Sequence, residues 1–180
     1  MKDFARNNPL FSLCGLNCGL CPMFLGGRCS GCNRACAIAR CSLDHGQPEY
    51  CYECTHYPCE RYRHIDEFDC FITHRRQKSD LEKAKTTGIE SYHLELREKM
   101  DLLNTLLSRY NDGRRKSFYC VAVNLLELAD LKEALLQIEA NTDLAQLPDR
   151  EKSAYVVGVF QKIAKKRSLE LKLRRKKRPP

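Results

Sequence analysis

Residues 14–59 read CGLNCGLCPMFLGGRCSGCNRACAIARCSLDHGQPEYCYECTHYPC, and they hold ten of the twelve cysteines of a 180-residue chain. The segment contains three pairs in which two residues separate the cysteines: Cys18 and Cys21, Cys29 and Cys32, Cys51 and Cys54. Such a spacer lets one tight turn present two sulfur atoms to the same ion. The segment is also poor in aliphatic side chains, and a domain without an adequate apolar core usually needs metals or disulfides. We therefore predict a small, irregular, cysteine-rich metal-binding module.

All ten clustered cysteines are candidate metal ligands: Cys14, Cys18, Cys21, Cys29, Cys32, Cys36, Cys41, Cys51, Cys54 and Cys59. Zinc takes four tetrahedral ligands, usually thiolate or imidazole, so the segment has enough cysteines for two zinc ions. The preferred partition has two groups: Cys18, Cys21, Cys29 and Cys32 in one, and Cys41, Cys51, Cys54 and Cys59 in the other. This partition assigns Cys14 and Cys36 to neither ion. Interleaved partitions, in which the first pair shares an ion with a distant pair, fit the spacing equally well.

Three histidines, His45, His56 and His64, are reserve ligands, and we interpret them instead as solvated or hydrogen-bonded loop residues. Disulfides are the alternative use for the cysteines. The N-terminal sequence MKDFARNNPLFSL lacks the long apolar run of a signal peptide, and no segment has the length of a membrane span. We therefore expect a cytoplasmic protein, and a reducing cytosol favours metal ligation over disulfides.

An iron-sulfur cluster is the alternative to zinc. Cys14, Cys18 and Cys21 have the C-x3-C-x2-C spacing that holds a four-iron cluster in radical S-adenosylmethionine enzymes, and Pro22 follows as in the Cys-Pro of ferredoxins. A radical enzyme of that kind needs a large partial barrel of alternating strands and helices, which this sequence does not predict. A simpler iron-sulfur protein stays open, because thiolate ligands suit iron and zinc alike.

The rest of the chain has the apolar spacing of helices. Pro58 predicts the start of a helix with Cys59 just inside it, and Tyr62, Ile65, Phe68 and Ile72 follow at spacings of three and four. Later helices are predicted on the same grounds, over the stripe that runs from Ile89 to Tyr110, in the buried segment FYCVAVNLL, and after Pro148. The predicted fold class is therefore mainly α, with the cysteine-rich module packed on a helical domain.

Two capping patterns set further expectations. Ser79 with Glu82 predicts a capping box that opens a helix ending at Gly88, and Asp130 with Glu133 predicts the start of another helix. Pro22 is expected to block regular structure after Cys21.

The two cysteines outside the cluster, Cys70 and Cys120, have apolar neighbours, and we interpret them as small core residues on helices. Two polar groups, one of Asp69, His74, Arg75 and Arg76 and one of Asp112, Arg114, Arg115 and Lys116, are more typical of caps and solvated faces than of an anion site. No catalytic triad, phosphate loop or nucleotide fingerprint occurs, so the sequence gives no positive indication of an enzyme.

The net charge of +8 comes from the last sixteen residues, which carry nine basic residues and one acid. The basic residues are Lys165, Lys166, Arg167, Lys172, Arg174, Arg175, Lys176, Lys177 and Arg178. Such a tail neutralises phosphates without reading sequence, so we predict a contact with nucleic acid or with an acidic protein surface. A solubilising end is the alternative, and no membrane contact is expected. The predicted organisation is a metal module over 1–59, a helical domain over 60–164 and a basic tail over 165–180.

The order CGLNCGLCP, CSGC, the isolated Cys36 and Cys41, and then CYECTHYPCERY resembles a prokaryotic cysteine-rich family described as domain of unknown function 3795. The segments FITHRR and NDGRRKSFYCVAVNLLEL are similar to later parts of the same family, so the resemblance covers roughly residues 12–140. The resemblance implies a zinc-binding protein of the cytosol and no established activity. The tail after Lys165 is not part of it.

These observations lead to one expectation about function. We predict a cytosolic protein with structural zinc that acts as a binding or adaptor module and contacts nucleic acid through its tail. The alternative is an iron-sulfur redox protein or a thiol-chemistry enzyme that uses Cys14, Cys18 and Cys21.

Overall fold

The computed structural model describes residues 4–33 and 35–176. Within these residues the chain is mainly helical, which confirms the predicted fold class at that level. The described part contains seven α-helices: α1 (Pro22–Leu25), α2 (Ala37–Asp44), α3 (Gln77–Thr87), α4 (Ile89–Arg109), α5 (Lys116–Leu125), α6 (Leu128–Glu139) and α7 (Asp149–Lys166). None of the helices in the described ranges is long and apolar enough to cross a lipid bilayer.

The chain forms two compact units. The first runs to Leu96 and includes the segment from Leu173 onward, and the second is Arg97–Lys172. These bounds differ from the predicted segments, which divide at residues 59/60 and 164/165. All ten clustered cysteines lie in the first unit, together with α3 and the start of α4.

Aromatic residues form the centre of the first unit. Phe11 is fully buried, and its ring centroid lies 5.4 Å from that of Tyr50 and 4.6 Å from that of Tyr92. Leu13 is also buried, and its carbonyl oxygen accepts a hydrogen bond of 2.9 Å from the backbone N–H of Cys51. The lead-in residues Phe11 and Leu13 thus form a small apolar core for the cysteine-rich segment.

A buried polar link joins the cysteine-rich segment to α3 and α4. The side-chain amide of Asn17 donates to Asp80 Oδ2 at 2.8 Å, and Asn17 Oδ1 accepts from the Tyr92 hydroxyl at 2.9 Å. All three side chains are buried. Because a buried polar group without its partner is costly, this link fixes the loop before Cys18 against both helices.

In the second unit, α5 is the buried central helix that the sequence predicts. Every residue from Tyr119 to Leu125 is buried. The Tyr119 hydroxyl donates to the Tyr110 carbonyl at 2.9 Å, and its ring contacts that of Phe160 on α7. Helix α7 begins after Pro148, as predicted, and buries Val156, Val159, Phe160 and Ile163.

The helix predicted from Pro58 to Ile72 does not form. Cys59 precedes a single 3-10 turn over Glu60–Tyr62, and turns and bends continue to residue 76. The periodicity is misleading here, because Phe68 is 46% exposed while Tyr62 and Ile72 are buried. The Asp69 side chain competes with helical bonding by accepting from the backbone N–H of His74 at 2.7 Å.

The predicted helix starts also differ in three places. Helix α3 begins at Gln77, and the Ser79 hydroxyl donates to the Arg76 carbonyl instead of capping the helix. Helix α6 begins at Leu128, because Asp130 is buried and forms an ion pair of 2.6 Å with Arg167. Pro22 opens α1 and does not block it, since a first helical residue needs no N–H donor.

Gly15 should be the most sensitive glycine of the first unit. Its φ is +94°, and a Cβ at this position would lie 2.3 Å from the Gln77 carbonyl oxygen and 2.6 Å from Leu81 Cγ. We expect Gly15→Ala to lower the free energy of unfolding by roughly 2 to 4 kcal/mol, the combined cost of overpacking and a left-handed conformation.

The matched control is Gly46→Ala, because Gly46 has a φ of +81° with no atom within 4 Å of the added Cβ. This control should cost only about 1 kcal/mol, and urea unfolding followed by circular dichroism measures both variants. Equal losses would contradict the close packing of the loop at residue 15 against α3.

Candidate metal centre

Two of the cysteine pairs sit in equivalent tight turns. A 3-10 turn begins at Cys18, and the Cys21 N–H donates to the Cys18 carbonyl at 3.0 Å. A second 3-10 turn begins at Cys51, and the Cys54 N–H donates to the Cys51 carbonyl at 3.1 Å. The two-residue spacer therefore folds into the local geometry that presents neighbouring sulfurs to one ion.

The pair Cys29 and Cys32 has a different turn. The backbone N–H of Gly31 donates to Cys29 Sγ at 3.4 Å, and Gly31 has a φ of +79°, in the left-handed region that suits glycine. Cys29 is exposed, whereas Cys32 is half-buried.

Six cysteines share one electrostatic neighbourhood, which we call the first thiol cluster: Cys14, Cys18, Cys21, Cys29, Cys32 and Cys36. Burial raises the pKa of Cys18 above its usual range, and four other members of the cluster raise it further. Burial also raises the pKa of Cys14 to about 11, with a smaller opposing hydrogen bond to Ser12. Cys14 and Cys36, which the preferred partition leaves over, thus lie near its first group.

Four other cysteines line a cavity of about 560 Å³, and we call them the second thiol cluster: Cys41, Cys51, Cys54 and Cys59. These are the members of the second group in the preferred partition. Burial raises the pKa of Cys51 to about 12, the nearby Tyr62 hydroxyl opposes part of this rise, and Cys14, Cys59 and Cys41 add to it. A thiol so placed stays neutral at physiological pH unless a cation favours its thiolate.

His45 and His56 line the same cavity, and both are hydrogen-bonded residues in turns, as the sequence predicts: His45 Nδ1 lies 2.8 Å from the Cys41 carbonyl oxygen, and His56 Nδ1 lies 3.3 Å from Thr55 Oγ1. Their ring centroids are 5.1 Å apart. His45 Nδ1 lies 3.6 Å from Cys41 Sγ, and His56 Nδ1 lies 3.9 Å from Cys54 Sγ. They are therefore additional candidate ligands, whereas His64 pairs with Glu67 at 2.6 Å.

Each cluster has a buried donor group that lacks an acceptor in the described part of the chain. The Arg6 side chain is only 6% exposed, and its Nη2 group donates to the Phe11 carbonyl at 2.8 Å and pairs with Glu49, whereas its Nε and Nη1 groups have no acceptor. Burial raises the pKa of Cys32, and the charge of Arg6 opposes that rise. The buried Tyr62 hydroxyl faces the Cys51 thiol without a well-formed hydrogen bond. Sequence reasoning misses both residues, because nothing in the spacing links Arg6 or Tyr62 to a sulfur.

All twelve cysteines lie in the described residues and are free thiols. Among residues 4–33 and 35–176, no three His, Cys, Asp or Glu side chains come close enough to hold one ion together. The cysteines of the second thiol cluster thus share a cavity, but in neither cluster do three potential ligands of the described residues meet at one point. The ligand partition remains a prediction.

The two remaining cysteines differ from each other. Cys120 is buried on α5, as predicted. Cys70 was expected on a helix among core residues, but it is exposed and lies in a bend, with its Sγ 3.2 Å from His74 Nε2. The expectation fails because the helix that would have carried Cys70 does not form.

The basic tail is partly tied to the protein. Lys165 and Lys166 end α7, and Arg167 pairs with the buried Asp130. The Arg174 guanidinium donates to the Asp66 carbonyl, and the Arg175 guanidinium donates to the Cys70 carbonyl. Lys172 and Lys176 are exposed, whereas Lys177 and Arg178 lie outside the described residues.

Comparisons with protein-family models, with curated proteins and with solved structures find no match to this chain. Membership of the cysteine-rich family that the sequence resembles therefore stays a prediction.

Tyr62→Phe tests the unpartnered hydroxyl directly. In chelator and reductant, we expect this variant to be as stable as the unchanged protein or up to about 1 kcal/mol more stable, because a buried donor without an acceptor is removed. Tyr119→Phe is the control, since that hydroxyl donates to Tyr110 and its loss should cost about 1 kcal/mol. A larger loss for Tyr62→Phe than for Tyr119→Phe in urea unfolding would contradict the assignment.

Proposed function

We propose that this chain binds two metal ions, most simply zinc in a structural role, one in each thiol cluster. The observation that carries the proposal is that a buried donor group without an acceptor lies near each cluster: Nε and Nη1 of Arg6 near Cys32, and the hydroxyl of Tyr62 near Cys51. A buried donor without an acceptor is unfavourable, and a thiolate is a strong acceptor. Metal binding deprotonates cysteine and so supplies that acceptor.

The chemistry of the donors fits zinc. Thiolate and imidazole are the ligands that zinc prefers, and the second thiol cluster has both types around one cavity. When bound, the ion would be held by Cys41, Cys51, Cys54 and Cys59, with His45 and His56 as alternatives. The Tyr62 hydroxyl would then orient Cys51, as outer groups do for metal ligands.

The proposed cellular role follows from the proposal that zinc stabilises the fold and takes no part in a reaction. Such a protein works as a cytosolic binding or adaptor module, in which zinc stabilises the surface that a partner contacts. Membership of the cysteine-rich family named above is part of the same proposal and rests on the sequence motifs.

Protein purified without oxygen should be colourless and contain about two zinc ions per chain. Cys32→Ser and Cys54→Ser should each lower the zinc content to about one, because each removes a ligand from a different cluster. Cys70→Ser is the matched control and should leave the zinc content unchanged, since Cys70 belongs to neither cluster. Elemental analysis by mass spectrometry gives the count. Zinc-free protein whose urea unfolding is the same with and without chelator would contradict the proposal.

An iron-sulfur centre in the first thiol cluster is the second candidate. It is supported by the six cysteines of that cluster, since a single zinc ion uses only four. A cluster of this kind would make the protein a redox or thiol-chemistry enzyme. Brown protein with iron and acid-labile sulfide would favour this candidate over zinc.

We also propose that the tail contacts nucleic acid or another polyanion. Lys165 and Lys166 at the end of α7 are the better candidates for this contact, because the guanidinium groups of Arg167, Arg174 and Arg175 already have protein partners. Lysine side chains at the end of α7 neutralise phosphates without a fixed geometry.

Replacing Lys165 and Lys166 together by Gln should reduce the salt dependence of binding to single-stranded RNA. Each lost phosphate contact lowers the slope of log K against log salt by about 0.7, so the double variant should lose roughly 1.4. Lys85→Gln with Lys132→Gln removes the same charge elsewhere and should leave the slope unchanged. Equal slopes for both double variants in fluorescence anisotropy titrations would contradict the tail contact.

A further inference from the structure

The exposed Cys70 forms a pair with His74. Cys70 Sγ lies 3.2 Å from His74 Nε2, and the opposite ring nitrogen, Nδ1, lies 3.0 Å from the Ile65 carbonyl oxygen. A carbonyl oxygen can only accept, so Nδ1 carries a hydrogen and donates to Ile65. Nε2 is therefore the atom that takes the thiol proton, and after protonation it donates to the sulfur.

The surroundings hold this pair in place. Asp69 is buried, and its carboxylate accepts from the His74 backbone N–H at 2.7 Å through Oδ1 and from the Arg174 backbone N–H at 2.7 Å through Oδ2. The Arg175 guanidinium donates to the Cys70 carbonyl at 2.7 Å. The turn that carries Cys70 is thus hydrogen-bonded both to the residues after it and to the tail.

The electrostatics of Cys70 differ from those of the thiol clusters. Partial burial opposes ionisation of Cys70, but its hydrogen bonds to His74 and to the backbone at Ile72, together with the charge of His74, outweigh burial, so the pKa of Cys70 lies below its usual value. Burial likewise opposes protonation of His74, but the hydrogen bond and charge of Cys70, the hydrogen bond to Ile65 and the charge of Asp69 together outweigh it, so the pKa of His74 is raised. The pKa values of Cys14, Cys18 and Cys51 are raised, in contrast to that of Cys70.

The exposure of the Cys70 sulfur and the groups around it determine which reactions the Cys70–His74 pair can carry out. Cys70 is exposed and lies in a bend, and the neighbouring side chains of Phe68 and Phe71 are exposed as well. Thiol–disulfide exchange needs a thiolate, an open approach to sulfur and a proton for the departing thiolate. The pair has all three, whereas acyl transfer would also need donors for a developing oxyanion.

We propose that Cys70 and His74 form a nucleophilic pair that exchanges with low-molecular-weight disulfides, which makes Cys70 a site of reversible S-thiolation. The Cys70 thiolate attacks one sulfur of the disulfide, a new S–S bond forms to Cys70, and the old S–S bond breaks. The second half of the disulfide leaves as a thiolate and takes the proton from the His74 imidazolium. Cys70 is oxidised and the departing half is reduced, so electrons and protons balance.

Oxidised glutathione is the probe, and peptide mass spectrometry of the full chain gives the rate of mixed-disulfide formation at Cys70. At about pH 6.5, where an ordinary thiol is almost fully protonated, His74→Gln should slow the reaction about tenfold. His64→Gln is the matched control, because His64 pairs with Glu67 and not with a cysteine. An equal rate of mixed-disulfide formation in the unchanged protein, His74→Gln and His64→Gln would overturn the proposal.

A second measurement does not depend on a variant that folds. The alkylation rate of Cys70 by iodoacetamide in the unchanged protein should fall less steeply between about pH 8 and pH 6 than that of free reduced glutathione. Parallel pH profiles would overturn the proposal. Neither readout involves metal. If the Cys70 proposal fails, the proposed metal binding is unaffected, and if metal binding fails, the Cys70 proposal is unaffected.

Discussion

The cysteine-rich segment is governed by the cost of ionising thiols that are buried close to one another. Burial opposes formation of each thiolate, and each thiolate that forms makes the next one harder to form, so the pKa values of Cys14, Cys18 and Cys51 are all raised. A divalent cation reverses the balance, because it stabilises several thiolates at once. The unpartnered donors at Arg6 and Tyr62 fit the same account, since both gain an acceptor when the neighbouring cysteine ionises.

This segment is also coupled to the helices of its own unit. Asn17, next to Cys18, is hydrogen-bonded to Asp80 on α3 and to Tyr92 on α4, and the Cys51 N–H bonds to Leu13. A change in either cluster therefore reaches the hydrogen bonds that hold α3 and the start of α4. The helix predicted to begin at Pro58 does not form, and the buried Asn17 is the residue that couples the segment to α3 and α4.

The sequence predicts the long helices well, because their apolar spacing is uniform and their ends carry strong signals. Helix α7 after Pro148 and the buried α5 are examples. It fails between Cys59 and Arg76, where Asp69 and His74 form long-range and turn contacts that no local pattern reveals. The three close pairs of cysteines identify the candidate centre, whereas Arg6, Tyr62 and the Cys70–His74 pair are found only through the folded chain.

The central claim is that the clustered cysteines bind metal as thiolates. X-ray absorption at the zinc edge, on protein purified without oxygen or added metal, tests it most directly. The account predicts a first shell dominated by sulfur at about 2.3 Å, with at most a minor nitrogen contribution from His45 or His56. A shell of oxygen and nitrogen at about 2.0 to 2.1 Å, without sulfur, would contradict it.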